Sequence, residues 1–206
     1  MQRLKIYYRE KILETLKECS KKASEAFSSM LLGKEVYPTM TSINLKPMDD
    51  LFMLPEDNIV VISDLSGDLS GIMIISFKGD EGLKIINTML GREVDTISDL
   101  GDEEMGVLKE YMNIVGGSYL TEFGNKFEMQ VMPQIPNFQG KFNEVSELIV
   151  SQLKAINERI LFVNASMMVP DLNANAIFYV LFEETSLNMV LNVISKGDDD
   201  PFEEPL

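Results

Sequence analysis

Glu110 and Asn113 place a carboxylate and an amide three residues apart, and Pro136 follows after a further 22 residues. Met105, Leu108, Met112, Val115 and Tyr119 recur around the pair at helical spacing and fall on one stripe. Residues at i and i+3 are neighbours on a helix surface, so Glu110 and Asn113 stand together on the opposite face. Gly106 and Gly117 share that polar face, one turn either side of the pair. Glycine inside a helix costs about 1 kcal/mol relative to alanine. A face that carries two of them suits the close approach of something large. The chemistry open to such a pair is charge pairing and hydrogen bonding, without a nucleophile.

The rest of the composition narrows the choice. The chain has 206 residues with no His and a single Cys19, so Ser-His and Cys-His nucleophiles are excluded and a zinc site is not expected. No GxxxxGK[ST] phosphate loop and no GxGxxG fingerprint occurs. Eighteen basic against 33 acidic residues leave a net charge of −15, which argues against nucleic acid and anionic membrane surfaces as partners. No run of apolar residues is long enough to span a bilayer. Met1 to Lys11 is polar and charged, unlike a signal peptide. A lone cysteine fits a reducing compartment, so the expected localisation is cytoplasmic.

The elements that must position the pair can be read from periodicity and punctuation. A long helix is predicted from about Leu4 to Leu32, closed by Gly33. Strands are predicted over Tyr37 to Leu45, Asn58 to Asp64 and Ile72 to Phe77, with a turn at Gly67-Asp68. A helix from Gly82 to Leu90 ends at Gly91. The second long helix is predicted from Asp102 to Phe123, its acidic first turn favoured by the helix dipole. After Gly124 a strand runs through Met132, then a helix from Glu144 to Ile156, strands over Leu161 to Val169 and Ala176 to Phe182, and a last helix from Leu187 to Ile194. Residues 197–206 form an acidic, proline-containing tail expected to be disordered.

The two halves, about 1–100 and 101–196, run in the same order: long helix, strands, hairpin, helix. Leu16-Lys17-Glu18 echoes Leu108-Lys109-Glu110. The reading is one α+β domain with a pseudo-twofold internal duplication. Two long amphipathic helices would pack on a largely antiparallel sheet.

With its spacer, Glu110-x2-Asn113-x22-Pro136 resembles the signature of the CheC, CheX and FliY family of chemotaxis phosphatases, Asp/Ser-x3-Glu-x2-Asn-x22-Pro. The flanks Leu108-Lys-Glu110 and Asn113-Ile-Val-Gly-Gly-Ser-Tyr119 look like the CheC helix. Gly67-Asp-Leu-Ser-Gly-Ile-Met73 and Leu90-Gly-Arg92 look like the family's hairpin and following helix. Length and duplicated layout are closer to CheC than to the shorter CheX, and no further domain of the FliY kind is expected. The resemblance implies hydrolysis of the aspartyl phosphate of a CheY-like response regulator. That partner would bring its own Mg²⁺, and no cofactor or metal of this chain's own is implied. Asn113 would orient the attacking water, a positioning role like that of the water-orienting Gln in GTPases. Glu110 would pair with a lysine of the regulator. Gly106, Gly117 and Pro136 would support the site.

Two departures from the signature bear on function. Its first position, Asp or Ser, is Gly106 here. The first long helix also lacks the second Glu-x2-Asn pair often found in CheC-type proteins, offering only Glu14-x2-Lys17 and Glu18-x2-Lys21. A lysine cannot both donate to and accept from water as an amide does. A single site in the C-terminal half follows. The alternative reading is a weakly catalytic or non-catalytic binding module for a CheD-like deamidase, contacted through about Glu144 to Leu153, or for a phosphorylated regulator. A structural part of the flagellar switch is a third.

Overall fold

A computed structural model describes residues 5–47, 58–136, 138–141 and 159–195. Helix α1, Ile6–Met30, buries Ile12, Leu16, Cys19, Ala23 and Phe27 along one stripe. It ends through Leu32 and Gly33, both at positive φ. Strand β1, Tyr37–Pro47, follows. Next come β2, Ile59–Gly67, β3, Gly71–Phe77, and α2, Gly79–Leu90, which closes on a left-handed Gly91. Asn175 is tied to α2 through its backbone N–H, which donates to Glu81 at 2.8 Å.

The second half opens with α3, Asp102–Tyr111, then a π-helical turn, Met112–Gly116, and α4, Gly117–Phe127. Strands β4, Val131–Pro133, and β5, Phe138–Lys141, precede the hairpin of β6, Arg159–Val169, and β7, Ala174–Glu183. Helix α5, Glu184–Ser195, completes the described chain. The helix expected over Glu144 to Ile156 and the tail at 197–206 lie outside the described residues.

The seven strands form one sheet in the order β1-β6-β7-β3-β2-β4, with β5 also paired to β2, and every pairing is antiparallel. Exchanging β1 with the β4 and β5 edge, β2 with β6, and β3 with β7 reverses this order and reproduces it. The duplication read in the sequence is thus built into the sheet, with β3 and β7 paired across the pseudo-twofold axis. Ile75 opposes Phe178 there, and Met73 opposes Val180.

One face of the sheet carries the described helices. Val61, Ile75, Phe178 and Ala165 form a row across four strands, buried in the same core as Phe27, Tyr111, Tyr119 and Leu191. Tyr111 meets Phe27 edge-on at 4.6 Å and stacks on Phe178 at 5.8 Å. Val60, Ile62, Ile74 and Leu181 point to the other face and are also buried. Alternation therefore fails in these strands because both faces are covered.

Candidate functional site

The second long helix departs from its predicted form in two ways. Its end lies at Phe127 rather than Phe123, so the segment after Gly124 that was expected to be strand is helical for one more turn. Gly124 does not stop the helix. Instead it allows the descending chain to pass close by: a Cβ there would lie 2.4 Å from the Met129 carbonyl oxygen. The left-handed turn falls on Glu128, φ 55.

The second departure sits on the candidate pair itself. Met112–Gly116 is a π turn, so Asn113 lies in a widened stretch of helix between two α-helical segments. The Gly117 N–H is shared between the carbonyls of Asn113 and Ile114. Such single π turns accommodate one extra residue and occur often at functional sites. A signal for it exists in the sequence. Tyr111, Val115, Tyr119, Phe123 and Phe127 are all buried and spaced strictly by four. In a regular helix, four residues overshoot one turn by about 40°. The wide turn absorbs part of that drift and keeps these side chains on the core.

Glu110 and Asn113 are both exposed, while Leu108, Met112, Val115 and Tyr119 are buried and Met105 is half-buried. Among the described residues, neither Glu110 nor Asn113 has a side-chain hydrogen bond or ion pair. Cβ atoms added at Gly106 and Gly117 would meet nothing within 4 Å. The face around the pair is therefore open on both sides. Ile114, next to Asn113, is 40% exposed and adds an apolar contact point. Pro136 is buried. The chain just before it is pinned to β2, since the Gln134 N–H donates to the Asp64 carbonyl at 2.8 Å and the Ser63 hydroxyl donates to the Gln134 carbonyl at 2.7 Å.

Gly116 was not singled out from the sequence, and it seats the π turn. A Cβ there would lie 3.0 Å from Met73 Sδ and 3.2 Å from Met112 Sδ. The absence of a side chain lets the wide turn rest directly on β3. Gly116→Val is expected to cost about 1–3 kcal/mol by overpacking. A thermal melt would show it as a fall of roughly 2–4 °C for each kcal/mol.

The sister face on α1 is built differently. Leu16, Cys19, Ala23, Ser24 and Phe27 are buried at the same intervals as Leu108, Tyr111, Val115, Gly116 and Tyr119. This superposition sets Glu18 on Glu110, Lys21 on Asn113 and Glu14 on Gly106, with Lys17 on Lys109. Glu18-x2-Lys21 is thus the counterpart of the pair, and Glu14-x2-Lys17 is not. Glu14, Lys17, Glu18 and Lys21 are all exposed. Glu18 is engaged in an ion pair with Lys126 of α4. Cys19 beneath it is fully buried, which pushes its thiol up to about 12. Among the described residues no cluster of His, Cys, Asp and Glu could hold a metal ion, and no helix is long and apolar enough to cross a membrane.

The architecture is an α+β fold with helices on one face of a seven-stranded antiparallel sheet. A family model described as Chemotaxis phosphatase CheX matches residues 59–146, a span that includes Glu110, Asn113 and Pro136. A curated relative, CheY-P phosphatase CheC of Bacillus subtilis, is 28% identical over 106 residues, which cover 50% of this chain and 51% of that protein. The match therefore spans about half the length of the curated relative. Among solved structures, Thermotoga maritima FliY has a TM-score of 0.69 at 18% identity, covering 95% of this chain and 99% of that one. The FliM middle domain from H. pylori has a TM-score of 0.65 at 15% identity, covering 92% and 99%. CheX from Borrelia burgdorferi, in a complex with CheY, BeF3 and Mg, has a TM-score of 0.55 at 18% identity, covering 83% and 97%. The chain is similar in sequence to the CheX family over residues 59–146, and in fold to FliY, FliM and CheX over most of its length.

Proposed function

We propose that this chain is a phosphatase acting on the aspartyl phosphate of a CheY-like response regulator, with one active site at Glu110 and Asn113. The observation that carries the reading is the open helix face: an exposed carboxylate and an exposed amide between two positions without side chains. The CheX family match over these residues and the activity in the name of the Bacillus subtilis relative support it.

In this reading the regulator supplies the phosphoryl group and the Mg²⁺ that neutralises it. Asn113 contributes an amide that holds a water in line with the phosphorus, accepting from it while donating toward a phosphate oxygen. An amide does not titrate at neutral pH, so the gain comes from orientation. Glu110 pairs with a lysine beside the phosphate and sets the docked register by a charge-assisted bond. The π turn carries Asn113 on backbone seated against β3, which limits its freedom before docking.

The test is the decay of a ³²P-labelled receiver domain with and without this chain. Faster decay supports the reading, and unchanged decay at saturating chain overturns it. Lys21→Asn restores the amide beside Glu18 on α1. It is expected to leave turnover unchanged, because Glu18 is already engaged by Lys126 and Glu14 projects where Gly106 leaves the other face open. A doubled rate would show a second working site.

A second reading is favoured by Gly106 at the first signature position and by Lys21 in the place of an amide. Here the chain binds a phosphorylated regulator or a CheD-like deamidase with little hydrolysis. The segment expected to contact a deamidase, Glu144 to Leu153, lies outside the described residues. Binding of a beryllofluoride-activated receiver with no acceleration of decay would move the reading to this one.

A further inference from the structure

Helix α3 is held at its start by an unusual anchor. Glu104 is only 5% exposed, at the third position of the helix. The position it matches on α1 is Ile12, which is fully buried in the apolar core. Glu104 Oε2 accepts from the Gly101 N–H at 2.9 Å, and its Oε1 accepts from Arg92 Nη2 at 2.5 Å. The same Arg92 nitrogen reaches Glu103 Oε2, at 2.5 Å. Arg92 directly follows Gly91, the left-handed cap of α2. The Glu104 carboxyl is held below its ordinary range by backbone N–H bonds, first at Glu104 and then at Gly101, with the Arg92 charge adding to them. The end of α2 is thus clipped to the start of α3.

Glu104 is buried while Arg92 is half exposed, and at such a position an apolar residue often stabilises as well as an ion pair or better. The sister helix makes the apolar choice at Ile12. What the ionic clip supplies instead is direction: fixed partners at fixed angles, tying α3 to α2. Few side chains anchor α3 otherwise, since only Glu104, Leu108 and Tyr111 are buried along it. Asn113 has a separate seat, in the π turn on Met73. The two ends of the candidate site therefore rest on different supports.

We propose that Arg92 and Glu104 are positioning residues that set the angle of α3, and with it Glu110, for docking of the phosphorylated regulator. Their effect falls on partner binding and not on the hydrolytic step at Asn113. Its kinetic readout rests on the phosphatase reading above, and its structural readout does not.

The experiment uses the full chain with Arg92→Ala and, as the milder change, Glu104→Gln, which keeps an acceptor for Gly101. Steady-state turnover of the phosphorylated receiver is measured beside hydrogen exchange of the free protein. The expected result is a KM raised about tenfold with kcat within about twofold, the pattern of lost docking. Exchange should quicken at residues 103–108 and stay unchanged at 112–116. A fall in kcat at constant KM, unchanged KM, or exchange that spreads into the π turn would overturn the proposal. If the parent protein shows no turnover, the phosphatase reading fails while exchange still decides the clip: local quickening sustains it, and unchanged protection removes it.

Discussion

Asn113→Ala is expected to slow hydrolysis of a phosphorylated receiver by at least about 100-fold in kcat, with KM near that of the parent. Loss of geometry at a reacting centre typically costs a factor of this size. The side chain is exposed and without a partner among the described residues, so its removal leaves packing intact. The melting temperature and the circular dichroism spectrum should match the parent. Glu110→Ala is the useful contrast. It should raise KM, because the lost contact is made in the docked ground state as well as in the transition state. A single-turnover assay at saturating receiver separates the two. If Asn113→Ala hydrolysed at the parent rate, the catalytic group would lie elsewhere, and the open face on α3 and α4 would have to be explained by binding alone.

The second large effect concerns stability. Gly67→Ala is expected to cost about 3 kcal/mol, near the top of the range for overpacking and added backbone strain. Gly67 closes β2 at φ 114, and a Cβ there would lie 2.1 Å from the Gln130 carbonyl oxygen. That oxygen accepts from the Asp68 N–H at 2.7 Å, and Asp68 Oδ2 accepts from the Gln130 N–H at 2.8 Å. The hairpin tip is thereby locked to the chain that leaves α4, and no flexible side chain is available to yield. At roughly 2–4 °C per kcal/mol, the melting temperature should fall by about 6–12 °C. An unchanged melt would mean that the turn at Gly67 can be rebuilt without moving Gln130.

Much of this was legible from local pattern. The stripe Leu108, Met112, Val115 and Tyr119 is buried and places Glu110 and Asn113 outside, because a 3.6-residue period leaves little choice of face once the apolar residues go inward. Gly91 ends its helix as read, since few residues but glycine take a left-handed cap without strain. The strands of both hairpins were found within a few residues, and the repeated order of the halves reappears as the symmetry of the sheet. The misreadings have a common cause. Gly124 reads as a helix stop from the sequence, but its role is to admit the Met129 carbonyl, a neighbour no local pattern announces. Gly116 carries no local signal, because its neighbour, Met73, is far away in sequence. Glu104 does stand in the acidic first turn, and its side chain is in addition turned to Arg92 on the buried side of the helix.

The sequence by itself determined the class of fold, the two long amphipathic helices, the duplicated order and the face on which a carboxylate and an amide stand together. Those follow from periodicity and from the few residues able to turn a chain, which are local properties. Only the tertiary structure decided that Asn113 lies in a π turn and that Glu18 is held by Lys126. It also decided that the two ends of the site rest on different supports. Helix register and ion-pair choice depend on which surface a helix is pressed against, and that surface exists only once distant strands have paired.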